Sequence, residues 1–147
     1  MQAIYPYAKI VHIFCAIIFV GYLFFDVVIF SRLKNVLKDD FERVKMAITS
    51  RAIKIMPVCL LLLFLSGGMM ISTWVGSKNG GYFSTPLQTL LMIKVLLALI
   101  ILTGVIYSLS CRFLGKKPAN FVKENLHVIA LIFGFFIVLF AKLMFIV

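Results

Sequence analysis

Four uninterrupted apolar stretches, each about as long as a bilayer is thick, constrain this chain more than anything else in it. A helix crossing the hydrocarbon core needs about 20 mainly apolar residues. Stretches of that kind run from about Tyr7 to Phe30, Ala52 to Trp74, Pro86 to Cys111 and Asn125 to Val147. Hydrocarbon offers no partner to an unpaired amide, so such stretches must be helical. The expectation is an all-α fold: a four-helix transmembrane bundle of up-down topology, forming a single integral membrane domain over residues 1–147. Proline fits two of the predicted starts. Pro6 and Pro86 open helices, and Pro57 is placed near the first turns of the second, where a missing amide costs least.

Charge then sets the orientation. Lys and Arg total 15 against 5 Asp and Glu, yet charged residues are only 14% of the chain and hydrophobic ones 63%. In a soluble protein that excess would suggest a nucleic-acid partner. Here the basic residues crowd two connections between apolar spans, so they read as topology signals and nucleic acid is not expected. Arg32, Lys34, Lys38, Arg43, Lys45, Arg51 and Lys54 lie between the first two spans, a stretch able to extend both helices as an amphipathic hairpin. Arg112, Lys116, Lys117 and Lys123 lie between the last two, where Gly115 and Pro118 break the helix. The Gly-rich connection from Gly76 to Thr85 carries only Lys78. By the positive-inside rule both termini face out, toward the periplasm, and Tyr5, Tyr7, Trp74 and Tyr82 fall at the outer interface.

Within this frame, ionisable residues at membrane depth are functional candidates, because a charge there costs several kcal/mol. At about 1.5 Å per residue, His12 and Lys142 lie about 8 Å below the outer ends of their helices, and Lys94 about 12 Å. Met69, Met70 and Met92 arrive at the same level, and Gly67-Gly68, Gly104 and Gly134 permit close helix contacts. Lys9 and Lys142 are near enough to an end to snorkel. His127 lies at the opposite end of its helix from that level. Asp26 shares a helix face with His12, and a salt bridge to Arg51 or Lys54 is its plain explanation. Cys15, Cys59 and Cys111 are widely spaced and show no disulfide framework.

A neutral imidazole in an apolar bundle is a standard axial ligand for haem iron, with Met or a second His as partner. The 15 Phe provide apolar surface for a porphyrin, and a lysine at that level can neutralise a propionate. His12 with Met69, Met70 and Met92 would alternatively suit copper as Cu(I), since thioethers are soft ligands. A third reading is an accessory subunit, packed as a homodimer or within a larger membrane complex.

Across nearly the whole chain the pattern resembles the HemJ-type protoporphyrinogen oxidases, bacterial inner-membrane proteins distantly akin to CopD-like copper-resistance proteins. Lys9, His12-Ile13, Gly21 and Phe24-Phe25 match the family's first helix, and Arg51, Ile55, Pro57 and Gly67 its second. Lys94 matches its third, and Asn125, Val138, Leu139 and Lys142 its fourth. The resemblance implies a b-type haem and oxidation of protoporphyrinogen IX to protoporphyrin IX. His12 would ligate the iron, and Lys94 would meet a propionate or substrate carboxylate, with Met69, Met70 and Lys142 nearby. The chain departs from the family at Phe19-Val20, where a tryptophan is usual, and at Leu126-His127-Val128.

Overall fold

The computed structural model describes residues 4–76, 80–117, 119–143 and 145–146. The expectations for Lys78 in the loop, the helix break at Pro118 and the end of the last span at Val147 lie outside these, as do the side chains of Asn120, Lys123 and Glu124. Helix α1 (Tyr5–Phe24) passes through a π turn (Phe25–Ile29) and a 3-10 turn (Phe30–Leu33) into the short α2 (Lys34–Leu37). A second 3-10 turn (Lys38–Asp40) leads to α3 (Phe41–Trp74), followed by α4 (Pro86–Phe113) and α5 (Asn120–Leu143). No strand occurs among the described residues beyond an isolated bridge between Gly76 and Gly81. Among the described residues three helical runs, Tyr5–Trp74, Pro86–Phe113 and Asn125–Leu143, are long and apolar enough to cross a membrane.

Exposure shows where these helices belong. Phe14, Ile17, Leu96 and Phe135 are 64%, 63%, 59% and 63% exposed along the middles of their helices. Water would penalise so continuous an apolar surface heavily. Lipid does not, since acyl chains are as apolar as the side chains they touch. The protein is built to face a bilayer.

The chain divides into two compact units, Ala3–Gly67 and Gly68–Val147, with the boundary at the glycine pair inside α3. In the first unit the helical run is not one rod. Lys38 takes φ 44°, the one positive φ among the described non-glycine residues, and the chain reverses there. His12 then meets Leu63 and Ser66, while Phe30 stacks on Phe41 at 5.0 Å. These pairings straddle the turn, so α1 and α3 lie antiparallel. Their seam is small. Ala52, Cys59 and Ser66 are buried at seven-residue intervals on α3, facing the buried Ala8, Cys15, Phe19 and Leu23 of α1. Small side chains at such spacing let backbones approach closely. The hairpin base is aromatic: Phe25, Phe30 and Phe41 stack in series, and the Lys45 ammonium sits 5.9 Å above the Phe41 ring. The Arg43–Asp40 ion pair at the tip is exposed and contributes little.

Helix α3 starts eleven residues earlier than the expected Ala52, at Phe41. Hydropathy ends a span where charge begins, but Glu42, Arg43, Lys45, Met46 and Ala47 are good helix formers. The helix therefore runs on for 34 residues, about 51 Å at the usual rise, well beyond the hydrocarbon. The basic stretch is helical, as expected of an amphipathic hairpin. Pro57 is consequently an interior proline rather than one in the first turns, and the Ile53 carbonyl loses its usual amide partner.

The second unit is ordered from its loop outward. Gly76 and Gly81 exchange two backbone hydrogen bonds of 3.2 Å, at φ values of 140° and 122° that L side chains rarely adopt. Thr85 caps α4, its hydroxyl accepting from the Gln88 amide at 3.2 Å. The Gln88 side chain reaches back, accepting from the Ser84 amide at 2.9 Å and donating to the Trp74 carbonyl at 3.4 Å. Thr85-Pro86-Leu87-Gln88 is thus a variant of the capping box, with the return bond taken from Ser84 rather than from the cap residue, and it also ties the end of α3 to the start of α4. Val75 and Leu91 form a small core with Ile71, Leu87, Leu90 and Met92. Trp74 sets an edge against Phe145.

At the far end of α4, Gly115 takes φ 65°, and the Gly115 and Lys116 amides return to the Arg112 and Cys111 carbonyls. This is a Schellman stop, the break expected at Gly115. Arg112 closes α4 and Lys123 belongs to α5, so the basic connection is shorter than its charge pattern implied. α5 begins at Asn120, five residues before the expected Asn125. Its neighbour contact is tight: a Cβ on Gly104 would lie 2.8 Å from Leu126 Cδ1. Gly134, the other glycine expected at a helix contact, is buried.

Candidate functional site

His12 is tied across the α1–α3 seam by two hydrogen bonds. Its Nδ1 lies 3.1 Å from the Leu63 carbonyl and 3.0 Å from Ser66 Oγ. A carbonyl only accepts, and the Ser66 hydroxyl has the Leu62 and Leu63 carbonyls within reach as acceptors of its own, at 2.6 and 3.3 Å. Nδ1 must therefore carry the proton and donate. A neutral ring bonded in this way is the Nδ1–H tautomer. Gly67 completes the cradle, since a Cβ there would lie 3.2 Å from His12 Cε1 and 3.6 Å from Nδ1. Ser66 is 5% exposed, so its hydroxyl is a built-in partner. A histidine whose second nitrogen is held by a backbone carbonyl is the arrangement that orients imidazole ligands on metals.

Apart from Asp26, the remaining candidates belong to the other unit. Lys94 is partly buried on α4, with no hydrogen bond or ion pair among the described residues. It lies one turn beyond Leu90 on the same helix face. Leu90 lines an open, mostly apolar groove of about 520 Å³ with Phe83, Thr85, Pro86, Thr89 and Leu143. Lys142 is exposed in the last turn of α5, as a snorkelling lysine would be. Met69 is exposed and Met70 partly buried on α3. Met92 packs on the Val75–Leu91 core, which gives it a structural task. His127 and Asp26 are both partly buried.

No family model, curated protein or solved structure matches this chain. Its functional reading therefore rests on the side chains. Among the described residues no group of three or more His, Cys, Asp or Glu could hold a metal ion. A porphyrin sets a different demand, because it fills four positions on iron itself and asks the protein only for axial ligands. His12 is the candidate axial ligand of the first unit.

Ser66 and Gln88 are the polar residues that sequence reasoning passed over. Gln88 carries a sequence signal, the Thr-x-x-Gln capping box. Ser66 carries only a weak one, a small polar residue just before two glycines in an apolar span.

Proposed function

We propose that this chain is a bacterial inner-membrane protein that holds haem b through His12 and belongs to HemJ-like porphyrin oxidation chemistry. The observation that carries the reading is the Nδ1–H···O=C bond from His12 to Leu63, which presents Nε2 as the ligating nitrogen. Bound there, a b-type haem supplies one-electron redox chemistry. Leu63 and Ser66 fix the ring's tautomer and angle, and Gly67 admits the ring between the helices. By the family resemblance, the role of the Lys94 amine is to meet a propionate or substrate carboxylate.

In this reading α1, α3, α4 and α5 each cross the bilayer, both termini lie outside, and the Lys38 turn and Gly115 connection lie inside. The reversal at Lys38 supports two crossings for the first run, and the distribution of Lys and Arg supports the orientation. Reporter fusions after Lys38 and Lys117 should behave as cytoplasmic, and one after Gly81 as periplasmic. Fusions after Lys38 and Gly81 reporting the same side would remove a crossing and with it the proposed depths.

Absorption spectra of the chain purified from haem-replete cells test the cofactor. A Soret band and sharpened visible bands on dithionite reduction are expected. Their absence in well-folded protein would end the haem reading.

A further inference from the structure

The register that brings His12 to Leu63 has a second result one turn deeper. In antiparallel α1 and α3, moving three residues on from His12 to Cys15 moves back on α3 from Leu63 to Cys59. Both cysteines are 7% exposed on the facing seam, at positions that the His12–Leu63 register sets opposite each other. Two soft, polarisable donors thus face one another in an apolar layer at helix depth, and the haem reading uses neither.

We propose that Cys15 and Cys59 form a two-thiol site for a soft monovalent cation, Cu(I) or Ag(I), at the α1–α3 seam. Thiolate donors select such cations, which accept two ligands. Zinc demands four, and among the described residues no third His, Cys, Asp or Glu joins the pair. The step is a cation-for-proton exchange. One thiol loses its proton, the cation bonds to that thiolate and to the neighbouring sulfur, and one H⁺ leaves. Nothing is oxidised or reduced, and the net charge of the buried site is unchanged, which suits a low-dielectric layer. A disulfide is the other chemistry open to paired thiols, but it must bring the sulfurs to about 2.05 Å. A bridging cation asks for no sulfur–sulfur bond and joins the two thiols through itself. The bound cation would pin α1 to α3 one turn from His12 without using the imidazole.

The test is titration of the full chain in detergent, anaerobic and reduced, with Ag(I) alone. One equivalent should be retained after desalting, with about one proton released per cation. Cys15→Ser and Cys59→Ser should each lose it, and Cys111→Ser, on α4, should keep it. A measurement on the unaltered chain guards against misfolded variants: Ag(I) should shield Cys15 and Cys59, not Cys111, from alkylation read by peptide mass spectrometry. Equal binding by the double Cys15→Ser/Cys59→Ser variant would overturn the proposal. So would protection of Cys111 instead, or a Cys15–Cys59 disulfide formed under mild oxidant in protein that retains no silver. His12→Ala should keep its silver equivalent, so failure of the haem reading and failure of this site are distinguishable.

Discussion

His12→Ala, purified from haem-replete cells, is expected to show no Soret band, and Gly67→Val is expected to lose most of it with the histidine still in place. The first result follows from removing the ligating nitrogen. The second is the sharper test, because it acts through space alone. A Cβ on residue 67 would stand 3.2 Å from His12 Cε1, so the ring must give by a few tenths of an ångström. The ring has little to give, since Nδ1 is held at 3.1 Å by Leu63 and 3.0 Å by Ser66. Alanine at 67 stretches those bonds; valine, stiff at χ1, breaks them. Overpacking of this kind costs about 1–3 kcal/mol, and a lost hydrogen bond adds about 0.5–1.5 kcal/mol. Haem occupancy should fall in the order glycine, alanine, valine. Ser66→Ala, which removes one of the two partners, should weaken binding by about 10- to 100-fold, the usual effect of losing an orienting group. A full Soret band in Gly67→Val would mean that the cradle does not position the ligand.

Much of the fold is legible in hydropathy, because a bilayer permits so few alternatives. The apolar stretches, the glycine-rich turn at Gly76 and the stop at Gly115 all follow from local composition. What hydropathy misses lies where two rules compete. The Phe41–Arg51 segment is polar enough to end a span and helical enough to continue a helix, and propensity wins because nothing in its sequence breaks the ladder. The reversal at Lys38 has no glycine to announce it, and the π turn at Phe25–Ile29 carries no composition signal. The site is legible only in part. Depth arithmetic singles out His12, but its tautomer depends on a backbone carbonyl 51 residues away, which no spacing rule reveals. Met92 shows the converse: its depth suggests a ligand, and its packing against Val75 and Leu91 is a contact that depth does not reveal.

The second unit offers a test that depends on no cofactor. Gly104→Leu should lower the thermal stability of the purified protein, by about 1–3 kcal/mol for an overpacked contact, because a Cβ there already comes within 2.8 Å of Leu126 Cδ1. Gly104→Ala should be nearly silent, since the atom it meets is the far end of a side chain that can swing aside. Leucine leaves Leu126 nowhere to go between α4 and α5. Truncating the obstacle should therefore rescue the variant: Gly104→Leu with Leu126→Ala exchanges the large and small partners across the same contact. The double variant should recover most of the lost stability, giving a coupling of about 0.5–3 kcal/mol, the range for residues in contact. Leu126→Ala alone leaves a void and should be destabilising on its own, so recovery in the double cannot come from that substitution acting independently. Strict additivity of the two single effects would mean that Gly104 and Leu126 do not meet, and the antiparallel register of α4 on α5 would have to be redrawn.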